Sequence, residues 1–158
     1  MGNIFAASEI IELGIQIEKN GRDFYSVLQD NSKDDRCIEL FKYLAGEESK
    51  HIIVFENILG RVERYQPSGL GSDEYYAYMK ALADEHIFTQ KDKGRQIASG
   101  IKTTREALDL GIGFEKDSIV FYEGIKEAVA QEEHKIVDEV IAQEQKHLFQ
   151  LLELKRSL

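Results

Sequence analysis

The chain has no tryptophan, one proline, two methionines and a single cysteine among 158 residues. Each scarcity excludes something. With Cys37 alone, no disulfide can form within one chain, and no metal site can be built from four cysteines of one chain. A reducing, cytoplasmic compartment is the simplest expectation. The near absence of proline removes the residue that breaks helices, and Glu, Lys, Leu, Ile and Ala are abundant, so an all-α chain is expected. No apolar run approaches the length of a membrane span. Met1–Ala7 carries no basic region followed by a long apolar stretch, so no leader peptide is expected, and Ala6 stands where a myristoylation signal needs Ser or Thr. Basic residues are also in deficit: the net charge is −9, which argues against nucleic acid or an anionic membrane as partner.

Apolar residues recur at helical spacing in four long stretches. The first begins near Ser8, a candidate N-cap, and closes at the polar run Asp30–Asp35. The second spans about 35–64 and is expected to end at Pro67, Gly69 and Gly71. A connection over about 65–102 follows, with an amphipathic piece near 72–89 rich in tyrosine. Thr103 and Glu106 form a capping-box pattern at the head of the third stretch, expected to reach about Ala130. After a break near Gln131-Glu132, the fourth runs to about Arg156.

The chain repeats itself. Glu12–Lys19 aligns with Asp109–Lys116, and Phe24-Tyr25 with Phe121-Tyr122, at an offset of 97 residues. Glu48-Ser49-Lys50-His51 aligns with Glu144-Gln145-Lys146-His147 at an offset of 96. The expectation is a single domain of two helical hairpins, about 8–64 and 103–156, joined by a long crossover into a four-helix bundle with pseudo-twofold symmetry. Whether both hairpins pack within one chain or exchange between two stays open, and a homodimer is expected.

Glu-x-x-His on a helix places a carboxylate and an imidazole on one face, one turn apart, where both can reach one ion. Each copy has a glutamate about thirty residues upstream, Glu18 and Glu115. Glu18, Glu48, Glu115 and Glu144 all sit in the middle of apolar stripes. A lone buried carboxylate costs several kcal/mol or takes up a proton, and four in one core repel one another. Arg22 is the main nearby cation. Two divalent ions would neutralise four carboxylates, with the imidazoles of His51 and His147 completing the set. Iron, manganese and zinc all suit such donors. The competing reading is a metal-free interaction bundle with protonated glutamates or ordinary ion pairs. Tyr25 and Tyr122 lie two turns beyond Glu18 and Glu115, so each is either a hydrogen-bond partner of a ligand carboxylate or an aromatic core residue. Gly14 and Gly111, four before a ligand glutamate, either leave room for a small oxidant or allow close helix packing. Glu85-His86 and His134 lack a partner at ligand spacing and read as surface or crossover residues.

Together, Glu18, Phe24-Tyr25 and Glu48-x-x-His51, with the repeat Glu115, Phe121-Tyr122 and Glu144-x-x-His147, resemble the rubrerythrin branch of the ferritin-like di-iron carboxylate proteins. The four-Glu, two-His donor set is already known from that bundle family, so it is matched rather than discovered. The resemblance covers all four long helices. It implies two iron ions, bridged by Glu48 and Glu144, with Glu18 and His51 serving one ion and Glu115 and His147 the other. It implies an oxidoreductase in which a di-ferrous centre gives two electrons to hydrogen peroxide. Rubrerythrins usually carry a rubredoxin-like domain with paired cysteines; here the donor is expected to be an external protein such as a rubredoxin. Many also carry a carboxylate one turn after the third-helix glutamate, where this chain has Ser118. That departure leaves dioxygen, or ferrous iron in an iron-oxidising or storage protein, open as the substrate.

Overall fold

The structure, a computed structural model, describes residues 7–65 and 72–158. Among these there are six α-helices and no strand: α1 (Ala7–Asn31), α2 (Asp35–Tyr65), α3 (Asp73–Glu85), α4 (Lys93–Ser99), α5 (Thr104–Ile125) and α6 (His134–Arg156). Four of them, α1, α2, α5 and α6, form an all-α four-helix bundle. Pro67, Gly69 and Gly71 lie outside the described residues. Ser8 falls inside the first turn of α1, not before it.

The bundle core comes from the inward stripes of both hairpins. Ile10, Ile11, Ile17 and Phe24 of α1 and Phe41, Leu44, Phe55 and Ile58 of α2 are buried with Leu108, Phe114 and Phe121 of α5 and Val137, Val140 and Leu151 of α6. Thr103 caps α5 by accepting a hydrogen bond from Glu106 N at 3.1 Å, while Glu106 Oε1 accepts from Lys102 N at 2.9 Å. The capping glutamate thus reaches one residue beyond the usual target of the capping box. The third helix stops at Ile125, short of Ala130, because the chain tightens there into two 3-10 turns, Lys126–Ala128 and Gln131–Glu133.

The crossover is held at two places. Ser72 caps α3, whose buried residues are Tyr75, Met79 and Ala83. Tyr75 Oη donates to Gly124 O at 2.5 Å, and Met79 fills the space a side chain at Gly124 would need. Further along, buried Asn20 donates from Nδ2 to Phe88 O and Gln90 O, both at 2.6 Å, and accepts from Gly94 N at 3.0 Å. Gly94 lies so close to the Asn20 backbone carbonyl that a Cβ there would collide with it. Two hydrogen bonds therefore fasten the segment before α4 to α1, and a third, with one missing side chain, fastens α4 itself. Among the described residues no helix is long and apolar enough to cross a membrane.

Candidate metal centre

Glu18, Glu48, Glu115, Glu144 and His147 are each fully buried, and His51 nearly so. Their helices face one another across the middle of the bundle, so all six side chains that the sequence singles out converge on one spot. They divide into two groups whose donor atoms lie within 4.8 Å of one another: Glu18, Glu48, His51 and Glu144, and Glu48, Glu115, Glu144 and His147. Glu48 and Glu144 belong to both groups.

Each histidine turns Nδ1 inward. His51 Nδ1 is 3.0 Å from Glu144 Oε1, 3.6 Å from Glu18 Oε2 and 3.9 Å from Glu48 Oε1. His147 Nδ1 is 3.2 Å from Glu144 Oε1, 3.5 Å from Glu48 Oε1 and 3.9 Å from Glu115 Oε1. The imidazoles lie nearly parallel, 5.8 Å apart at an interplanar angle of 24°.

The tyrosines resolve the alternative left open for them. Tyr122 Oη of α5 donates to Glu18 Oε1 of α1 at 2.5 Å, and Tyr25 Oη of α1 donates to Glu115 Oε1 of α5 at 2.7 Å. Each phenol thus crosses to the other hairpin. Burial, reinforced by the neighbouring carboxylates, pushes both phenols well above their ordinary range, so they remain protonated donors. The bonds leave Glu18 and Glu115 with one free oxygen each. Glu18 Oε2, Glu115 Oε2, both oxygens of Glu48 and Glu144, and Nδ1 of both histidines are buried without a hydrogen bond.

Such orphaned atoms are expensive when nothing meets them. Protons meet part of the demand in the protein alone. Burial, with Glu144 and Glu18 nearby, holds Glu48 well above the usual carboxylate range, and burial beside Glu144 does the same to Glu115. Burial would raise Glu144 too, but the imidazoles of His147 and His51, 3.2 and 3.0 Å from its Oε1, outweigh it and bring it down to about 2. Burial opposes a charged His51, yet Glu18 and Glu144 push it up to about 11. Arg22 contributes nothing here: it turns outward, 3.1 Å from Asp23. A set of inward carboxylate oxygens and imidazole nitrogens without partners is what two hard-to-borderline divalent cations require.

The family model for rubrerythrin matches residues 9–155. The chain belongs to the rubrerythrin family. A solved structure from Thermotoga maritima, described as a ferritin-like diiron-carboxylate protein, superposes with a TM-score of 0.71 at 25% identity, over 99% of this chain and 98% of that one. Among curated proteins none matches. The family, the fold and the buried carboxylate-histidine cluster together mark a di-metal site. As a rubrerythrin relative, the chain shows no rubredoxin domain in the residues compared.

Several residues around the cluster escape a search for ligand spacing. Gln143 Oε1 meets His51 Nε2 at 2.6 Å, and Glu47 Oε1 lies 3.9 Å from His147 Nε2. Both immediately precede a cluster glutamate, and their offset is 143 − 47 = 96, the repeat offset, which was the signal available. His86 belongs to the crossover, as expected, but it is buried, not at the surface. Its Nδ1 accepts from Phe88 N at 3.1 Å, which leaves Nε2–H to face Ser118 Oγ at 3.1 Å. Burial lowers its pKa to about 4, so it is neutral at pH 7. A Cβ added at Gly14 would sit in ordinary van der Waals contact with Ile125 and Phe55, 3.4–3.9 Å away, and one added at Gly111 with Leu151 and Tyr25, 3.4–3.6 Å away, so each glycine leaves room for no more than a methyl group.

Proposed function

We propose that this rubrerythrin-family protein binds two iron ions through Glu18, Glu48, His51, Glu115, Glu144 and His147 and reduces hydrogen peroxide with electrons from an external donor. The observation that carries the reading is the inventory of free oxygens. Glu48 and Glu144 keep both oxygens available and belong to both donor groups, which suits bridging. Glu18 and Glu115 each commit one oxygen to a tyrosine and keep one, which suits single-point ligation at either end. Bound ferrous ions would supply two electrons, one each, so that peroxide and two protons give two waters.

The chain's own residues do the rest. Tyr25 and Tyr122 hold the terminal carboxylates in place and donate without ionising. Gln143 takes the outer N–H of His51 and so keeps its Nδ1 aimed inward. Phe55 and Phe114 lie against Tyr122 and Tyr25 at ring separations of 5.0 and 5.9 Å and limit water around the cluster.

A second reading, dioxygen or ferrous iron as the substrate, is favoured by one observation. The position one turn after Glu115 holds buried Ser118, occupied by His86. Stopped-flow mixing of the anaerobically reduced, iron-loaded protein separates the readings. Oxidation by stoichiometric peroxide is expected to be much faster than by air-saturated buffer. Equal or reversed rates support the second reading, and no reaction with either, in protein holding two irons, sinks the redox function.

A further inference from the structure

The two histidines are equivalent in the repeat but not in what stands behind them. His51 Nε2 meets the neutral amide oxygen of Gln143 at 2.6 Å. His147 Nε2 is buried, has no hydrogen bond, and lies 3.9 Å from the carboxylate oxygen Glu47 Oε1. The partners are exchanged between hairpins: Gln143 of α6 serves His51 of α2, and Glu47 of α2 faces His147 of α6. Glu47 is itself held, by Lys50 Nζ at 2.8 Å and by Tyr43 Oη at 3.4 Å, and Tyr43 stands edge-on to the His147 ring at 5.9 Å. Lys146 Nζ lies over the outer face of Tyr43, 5.8 Å from the ring centre. The Glu47 side chain is 13% exposed and that of Lys50 76%. Water therefore screens the ammonium far more than the carboxylate, whose charge is felt inward.

A carboxylate behind a ligand imidazole makes it a stronger donor and also attracts the cation directly; an amide only orients the ring. We infer that Glu47 is the outer partner of His147 and makes the two metal positions unequal. The ion among Glu48, Glu115, Glu144 and His147 is then held more tightly than the ion among Glu18, Glu48, His51 and Glu144. The inference rests on the metal-centre reading given under Proposed function, and it goes beyond that reading by assigning an order of filling.

The test is a calorimetric titration of metal-free protein with Co²⁺, a probe that needs no redox step. The wild type should bind two ions in two steps. Glu47→Gln should weaken the tighter step about 10–100-fold and leave the weaker one in place. Gln143→Glu should strengthen the weaker step by a similar factor. Lys50→Gln, which breaks the same surface ion pair from its other side, should keep the steps apart, so a merely structural role for the pair is distinguished. Steps unchanged within twofold in both Glu47→Gln and Gln143→Glu would overturn the inference, as would equal weakening of both steps by Glu47→Gln. A wild type that binds no Co²⁺ would sink the metal centre itself and this inference with it.

Discussion

Metal uptake should expel protons from the inward groups that hold them. In the metal-free protein three inward groups hold protons that an ion must displace: His51, with a pKa of about 11, and Glu48 and Glu115, both held above the usual carboxylate range by burial and by Glu144. Glu144, at about 2, is already ionised and releases none. Loading two divalent ions at pH 7 should therefore release about three protons. Because each displaced proton competes with metal, the overall constant for two ions should rise with pH, by about a thousandfold per unit while all three groups remain protonated. Titrating Zn²⁺ into metal-free protein in two buffers of different ionisation enthalpy gives the count directly from the difference in heat. Release of fewer than about one proton for two ions would refute the reasoning, since the cluster would then not be proton-filled before metal arrives.

Other expectations follow from the same contacts. Glu48→Ala and Glu144→Ala should each cost most of the bound metal, whereas Glu18→Ala should retain about one ion per chain, because only the first two belong to both donor groups; metal analysis of the purified variants decides it. A chelator should lower the melting temperature, since bound ions favour the folded state alone, and an unchanged melt after verified metal removal would count against the site. Buried His86 binds a proton only near pH 4, a free imidazole near pH 6.5. The unfolded chain therefore binds the extra proton first, and stability present above pH 6.5 falls as pH drops toward 4. About 2 kcal/mol should be lost between pH 7 and 5, and His86→Asn should lack this component in urea denaturation. Ile53 and Phe149, repeat-related residues that are 59% and 61% exposed, offer apolar surface for a homodimer; sedimentation showing a monomer at micromolar concentration would remove that proposal.

Much of this was legible from residue spacing. A glutamate in the middle of an apolar stripe is costly, and four of them at repeat-related positions point to one shared cause, so the convergence of Glu18, Glu48, Glu115 and Glu144 could be anticipated. Spacing along a helix also shows that Tyr25 and Glu18 share a face. It does not show that Tyr25 reaches Glu115 instead, because that contact depends on how the hairpins meet. The helix α4 leaves no such pattern: its buried residues are Gly94 and Ala98, too small to register as an apolar stripe. Spacing does not mark His86, because its partner, Ser118, is 32 residues away and carries no charge. Glu47 lies off the centre of its apolar stripe, and position at a stripe's edge is what brings it near the outer nitrogen of His147.

Each donor group draws three residues from one hairpin and one from the other. During synthesis the first hairpin leaves the ribosome well before Glu144 exists. A nascent or truncated chain thus offers Glu18, Glu48 and His51 with no fourth donor and no Tyr122 to brace Glu18. The cluster acts as a two-part key. The full set of four donors around either position exists only once both halves have been made and have closed on each other, so an unfinished copy of the chain presents at most three of them.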